Sequence, residues 1–348
     1  MSKRVTIADV ADAAGVSTGT VSAVLNARPT VRAQTRSRVL ETIDRLGYRP
    51  SASAQRLGGR GAGPTSFPPS VGIVVKEIDN PFYAEVIRGA GDALDAEGYV
   101  PFICASGGDF RKEGLVIDSL RGRDVRGVIV APVLDADADL SHLFLLRRSG
   151  FPFVLLETVP GLTTNVVSVD NVAAEREAVR HLLELGHERI AHFAGPAYTR
   201  HSADRQLGFE TAFSQSPLPL PEGAVVPAGS RFADGYEAGL RHFGGGGARP
   251  TAVACFNDLV ALGLVRALTE LGLRVPEDVS VVGFDDVPAA TQTALPLTTV
   301  HVPQRAMGRR AVEVILGRLG APDGDAETVA VTLDAHLELR ATTAPPPA

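Results

Sequence analysis

Residues Thr6–Asn26 read TIADVADAAGVSTGTVSAVLN, and this stretch decides how the rest of the chain is understood. Ile7, Val10, Ala11 and Ala14 recur at helical spacing and place an apolar stripe on one face. Thr6 stands where an N-cap belongs, with Asp9 three residues on as its reciprocal partner. Gly15 follows the stripe, where a left-handed residue readily ends a helix. Ser17 then caps a second helix whose apolar face is Val21, Val24 and Leu25. Helix, glycine turn, helix at this spacing is the helix-turn-helix pattern, whose second helix enters the major groove of DNA. Spacing alone does not separate it from an αα-hairpin in a bundle.

Charge favours the DNA reading. The chain has 348 residues and a formal net charge of −6. Residues 1–62 hold ten Lys and Arg against four acids, so the head carries +6 and the remainder −12. A basic head suits phosphate, and an acidic body avoids non-specific contact with DNA. With 45% hydrophobic and 21% charged residues, the chain has room for two or three domains with real cores. Its start lacks the apolar run of a signal peptide, and no window approaches the roughly 18 uninterrupted apolar residues of a membrane span. Cys104 and Cys255 lie in apolar runs without framework or metal spacing. They read as reduced core thiols of a cytoplasmic protein.

The wording of 6–26 resembles the lactose-repressor (LacI/GalR) family, in which T-x-x-D-V-A-x-x-A-G-V-S-x-x-T-V-S-x-x-L-N opens the chain. The resemblance implies a DNA-binding head over 1–49, with Thr18, Gly19 and Ala23 at the base-reading positions. Gly19 and Ala23 carry no hydrogen-bonding side chain, and many relatives have arginine in place of Ala23, so direct readout is expected to be thin. Ala23 and the Thr18 methyl suit thymine methyls. Thr6, Ser17, Thr20, Ser22 and Asn26 are expected to bond phosphates and position the helix. A third helix, about 33–46, shows Val39, Leu40, Ile43 and Leu46 as its core stripe. Thr35 and Arg36 at its start face phosphate or solvent, and Tyr48 is expected to be half core, half backbone contact.

Residues 50–58 begin PSASAQRL and match the family's hinge segment P-[SN]-x-x-A-x-x-L. A helix this short is marginal alone in water and needs a partner hinge and DNA. The resemblance gives Leu57 the role of a minor-groove wedge, with Ala54 packed beside it. Residues 59–70 are Gly/Pro-rich and read as a linker.

From Val71 short apolar runs alternate with amphipathic stretches up to Arg340. Such alternation means parallel sheets covered on both faces. The expected fold is therefore an all-α head plus an α/β body of two doubly wound parallel-sheet subdomains, periplasmic-binding-protein-like, with the break near Leu162 and tail strands crossing back. Residues 341–348, ATTAPPPA, are expected to be a disordered tail with no tetramerising helix.

Ligands bind outside the carboxyl ends of such strands, and the family motifs fall there. Asn80-Pro81-Phe82-Tyr83 is similar to N-P-F-F, Gly195-Pro196 with Arg205-Gln206-Leu207-Gly208-Phe209 to G-P…R-x-x-G-[FW], Asn257-Asp258 to N-D-x-x-A-x-G, and Gly283-Phe284-Asp285 to G-[FY]-D. The resemblance makes Arg205 an effector contact. Glu157 and Asp285 accept from hydroxyls while Arg205 and Asn257 donate, the set that grips a polyol. With no Trp in the chain, Phe82, Tyr83 or the loop residue Phe232 must supply an aromatic platform. Each has a plainer reading: Asn and Asp after a strand cap helices, and Arg205 beside a cleft can simply pair with Glu157.

No nucleophile elbow, phosphate loop or His-Glu-x-x-His is present, and no metal or other cofactor is expected. The reading is a homodimeric, sequence-specific repressor on a near-palindromic DNA operator, controlled by a small molecule, most simply a sugar or sugar derivative. A stand-alone sugar-binding protein, a purine-type corepressor-dependent repressor and a sugar-handling enzyme are the alternatives.

Overall fold

The computed structural model describes residues 5–25, 28, 30–46, 48, 68–123, 125–135, 137–196, 199–245, 249–320 and 327–347. The chain forms two compact units, Met1–Pro69 and Ser70–Ala348. In the first, α1 (Ile7–Ala14), α2 (Thr18–Leu25) and α3 (Ala33–Leu46) enclose a small core of Val10, Ala11, Ala14, Val21, Val24, Val39 and Tyr48. The Thr6–Asp9 capping box is formed on both sides, and Gly15 sits at φ 63°. Ser17 Oγ accepts from the Thr20 amide at 3.1 Å. The core stripe of α3 differs from the expected one by a single position. Thr42 is buried while Leu40 is exposed, because Val39, Thr42, Ile43 and Leu46 fall at i, i+3, i+4 and i+7 on one helical face and Leu40, at i+1, does not. Tyr48 is buried in the core. The hinge residues Ala54 and Leu57, Asn26, and most of the linker lie outside the described residues.

The second unit holds two six-stranded sheets. The first contains β1 (Ser70–Val75), β2 (Val100–Ala105), β3 (Gly127–Val130), β4 (Phe153–Leu155), β5 (Asn165–Val169) and β11 (Ala330–Leu333), in the order 11-5-4-3-1-2. The second contains β6 (Ile190–Ala194), β7 (Val225–Pro227), β8 (Ala252–Cys255), β9 (Ser280–Asp285), β10 (Thr298–His301) and β12 (His336–Glu338), in the order 12-10-9-8-6-7. All pairings are parallel except β10 with β12. The break between lobes therefore falls after Val169, one strand later than the expected position near Leu162, because β5 pairs with β4 and β11.

Helices α4 (Pro81–Ala96), α5 (Phe110–Gly122) and α6 (Ser141–Arg148) cover the first sheet. Around the second lie α7 (Asn171–Glu184), α8 (Arg200–Ser214), α9 (Phe232–Phe243) and α10 (Asp258–Glu270). Then α11 (Gln304–Gly320) follows β10 and returns to the first lobe, packing on α4 and on β3, β4 and β5. The crossing-back of the tail is thus real, and it continues beyond β12.

Two expectations about exposure are corrected. The run Val100–Ala105 is an edge strand, with Val100, Phe102 and Ile103 exposed and Cys104 only half-buried, whereas Cys255 is fully buried in the central β8. The tail is also ordered through residue 347. The Val281 amide donates to the Thr342 carbonyl at 2.8 Å, and Thr342 Oγ1 donates back to the Val281 carbonyl at 2.6 Å. Buried His187 donates through Nε2 to the Ala344 carbonyl at 2.9 Å. Backbone pairing of this kind needs no apolar pattern, so a Pro/Thr-rich string gave no hint of it.

Candidate functional site

The carboxyl ends of both sheets face one narrow cleft, with a free volume of about 40 Å³, open to solvent. In each sheet the strand order reverses beside its first strand, β1 or β6, and the chain leaving β1, β4, β6, β8 and β9 supplies the residues in and under the cleft. Asn80 caps α4, its Oδ1 accepting from the Phe82 amide at 3.0 Å, and Pro81 occupies the first turn, where its missing N–H is harmless. That geometry turns Phe82 and Tyr83 into the cleft wall, ring edge against ring face with centroids 5.3 Å apart.

Arg205 is the most committed side chain. It is buried, with Nε donating to Asn171 Oδ1 at 3.0 Å, one Nη to the Phe256 carbonyl and the other to Asp285 Oδ1 at 3.2 Å. Its guanidinium lies 3.5 Å from the Phe284 ring centroid and 4.9 Å from that of Phe256, so ring faces and hydrogen bonds together fix it. The alternative pairing of Arg205 with Glu157 is not the one formed. Glu157 pairs instead with Lys76 in a buried contact.

Asp285 is held in an unfavourable state. Its φ of 108° lies where residues with a Cβ rarely sit, and Asp286 follows at φ 58°. Burial pushes the Asp285 carboxyl up to about 6, against the opposing pull of Arg205. A raised acid pKa means that stability from the neutral form is full below the ordinary value near 3.8 and is lost as pH rises through about 6. Asp285→Asn loses the buried pair with Arg205 and is less stable for that reason, but it should gain on wild type as pH rises. The difference should move about 1 kcal/mol in the variant's favour between pH 5.0 and pH 7.5. Denaturant titrations at the two pH values measure it, and a wild type that gains on the variant as pH rises would show that the ion pair with Arg205 outweighs burial.

Asn257 lines the cleft and also holds the fold together. Its Oδ1 accepts from the Val260 amide, capping α10, and its Nδ2 donates to the Ser230 carbonyl. Phe232 is not part of the cleft. It opens α9 instead of sitting in a loop, and it is 46% exposed. Phe256 supplies the second aromatic surface, beside Phe82 and Tyr83.

Lys76, Thr199 and His201 line the cleft and were missed from sequence. Two signals existed. Lys76 is a charged residue directly after an apolar strand, and His201 is one helical turn before Arg205 on α8. His201 Nε2 lies 3.5 Å from Glu157 Oε2, so the two lobes meet here. Burial, followed by Lys76, Arg205 and Arg200, holds the His201 ring well below the ordinary histidine range, so it is neutral at pH 7.

In the head, Ser17, Thr18 and Gly19 are exposed at the start of α2, with Thr20, Ser22 and Ala23 half-buried behind them. Thr6 is exposed and engaged with Asp9. Thr35 and Arg36 are half-buried, and one Nη of Arg36 donates to the Arg28 carbonyl at 2.6 Å.

A basic helix-turn-helix head joined to a two-lobed α/β body with a cleft at its strand ends defines a ligand-responsive DNA-binding regulator. Residues 6–51 match the model of bacterial regulatory proteins, lacI family, and residues 179–343 match a periplasmic binding protein-like domain. The HTH-type transcriptional repressor PurR of Haemophilus influenzae (strain PittEE) is 34% identical over 319 residues, covering 91% of this chain and 92% of PurR. Among solved structures, the transcriptional regulator CelR–cellobiose complex aligns over 97% of this chain and 100% of CelR, at 30% identity and a TM-score of 0.67. The lac repressor dimer bound to operator and the anti-inducer ONPF aligns over 98% and 100%, at 27% identity and a TM-score of 0.69. The chain belongs to the lacI family of transcriptional regulators, which bind DNA and carry a ligand-binding regulatory domain.

Proposed function

We propose that this protein is a cytoplasmic homodimeric repressor whose hold on a near-palindromic operator is controlled by a sugar bound in the cleft. The observation that carries the ligand reading is the convergence at the strand ends. Carboxylates from both lobes, Glu157 and Asp285, stand with Lys76 and Arg205 beside an aromatic wall of Phe82, Tyr83 and Phe256. Acceptors and donors around an aromatic surface suit a polyol. Cellobiose in the CelR complex supports the same class. The apolar edge of β2 supports a second copy docking there, since an exposed apolar strand edge invites pairing or cover. Ligand closes the cleft and shifts one lobe against the other, and operator must weaken ligand binding by the same factor.

A thermal-shift panel of sugars, sugar phosphates and purines on the intact chain tests the ligand class, and a gel shift across a salt series tests the DNA. Steep loss of binding with salt, and release by the stabilising sugar, support the reading. Sugar binding without DNA affinity would favour a stand-alone binding protein, and stabilisation by a purine base the corepressor alternative.

The wedge role of Leu57, which the family resemblance implies, gives a separate prediction. Leu57→Ala should weaken operator binding by about 1–3 kcal/mol while leaving salt-driven binding to random duplex nearly intact. Competition gel shifts on both DNAs measure the ratio, and equal loss on both would remove the wedge.

A further inference from the structure

We infer that the effector is an uncharged sugar that donates a hydroxyl to Glu157, and that phosphorylated forms of the same sugar are excluded. The inference rests on the sugar reading above and adds the charge of the ligand and the group that selects it.

Among the described residues that line the cleft, Lys76 and Arg205 are each already paired with a buried carboxylate. Lys76 is 4% exposed and paired with Glu157 Oε1. Arg205 is also 4% exposed and gives three of its five N–H donors to Asn171, the Phe256 carbonyl and Asp285, whose carboxylate neutralises it, with aromatic rings against its plane. His201 adds no positive charge, because burial and the neighbouring Lys76, Arg205 and Arg200 keep it neutral. The acids match these bases one for one. Glu157 and Asp285 are buried, and Glu77 lines the cleft 3.8 Å from exposed Arg231. A phosphate here would be desolvated without a partner or would have to break a buried pair, and both are costly.

The polar atoms left over point to a donor. Glu157 Oε2 and Thr199 Oγ1 are buried and make no hydrogen bond to any described group. Glu157 Oε2 lies 3.5 Å from Nε2 of His201, a wall residue, so this oxygen stands directly beside the lining of the cleft. An ionised carboxylate only accepts, and a phosphate dianion offers nothing to donate. A sugar hydroxyl donates to Glu157 Oε2 while its own oxygen accepts from a neighbour such as Thr199 Oγ1. It thereby joins the first lobe to the second without adding charge.

The test is calorimetry and thermal shift on the intact chain, freed of bound small molecules by dialysis. The probes are cellobiose, ribose and glucose, then ribose 5-phosphate and glucose 6-phosphate, then guanine and hypoxanthine. At least one neutral sugar should stabilise the protein, with its phosphate ester binding at least about 100-fold more weakly. An ester that binds as well as its parent sugar overturns the charge inference and leaves the sugar reading standing. Stabilisation by a purine alone, or by nothing in the panel, overturns the sugar reading and this inference with it.

Glu157→Gln removes the negative charge, replaces one of the two acceptor oxygens by a donor NH2, and frees Lys76. The neutral sugar should lose at least about tenfold in affinity, and its gap to the phosphate ester should narrow. If a buried unpaired Lys76 prevents folding, the double variant Lys76→Met/Glu157→Gln removes both charges and should show the same loss for the neutral sugar. Unchanged affinity for the neutral sugar in whichever variant folds overturns the role of Glu157.

Discussion

Arg205→Ala is expected to yield a repressor that still occupies its operator and no longer answers its ligand. The guanidinium ties α8, the end of β8 and the end of β9 to one another through Asn171, the Phe256 carbonyl and Asp285. A ligand that touches any of them is read by the others only while that knot holds. Truncation also leaves Asp285 buried beside no cation. Breaking one side of a buried pair typically costs about 3–5 kcal/mol, so the thermal midpoint of the body should fall as well. Arg205→Lys separates the two effects. Lysine keeps the charge near Asp285 but cannot make three directed bonds and lie flat between Phe256 and Phe284. It should restore much of the stability and little of the response. Gel shifts with and without the sugar selected by the panel, run beside thermal melts, measure both. Release of DNA by Arg205→Ala at the wild-type ligand concentration would remove Arg205 from the site.

The parts of this molecule legible in its sequence are those set by local period. Helical stripes, capping residues and apolar runs between them located the three head helices and the alternation of strand and helix through the body. The rule that ligands meet parallel sheets at strand ends then brought Phe82, Tyr83, Glu157, Arg205, Asn257 and Asp285 to one region. What remained hidden depends on pairings distant in sequence. Lys76 and Glu157 are 81 residues apart, and Arg205 and Asp285 are 80 apart. No periodicity could say which acid belongs to which base, and the plainer pairing of Arg205 with Glu157 was equally open. Strand composition did not distinguish the edge strand β2 from buried strands, because Val100–Ala105 is as apolar as the central runs. The place of β5 depended on its hydrogen-bonded neighbours. Phe232 failed for a local reason: its helix begins at residue 232, which turns the ring to solvent.

Gly308→Val is expected to be the most destabilising single change in the body, by about 3–5 kcal/mol. Helix α11 is the element that returns from the second sheet to cover the first, and it lies along α4 with backbone nearly touching backbone. A Cβ on Gly308 would fall inside contact distance of the Val86 carbonyl oxygen and 2.8 Å from the Ala90 amide nitrogen. A Cβ on Gly89, on the facing helix, would likewise meet the Arg305 carbonyl oxygen. Backbone cannot rotate away as a flexible side chain can, so the helices must separate. Separation would loosen the buried contacts of Val86, Ala90, Met307, Ala311 and Ile315 together. Gly91, also on α4, is the control. A Cβ there meets nothing within 4 Å, and Gly91→Ala should gain up to about 1 kcal/mol through helix propensity and a less flexible unfolded chain. Urea titrations of the two variants against wild type should move in opposite directions. A Gly308→Val midpoint within error of wild type would mean that α11 is free to shift against α4, despite the core of buried side chains that the two helices share.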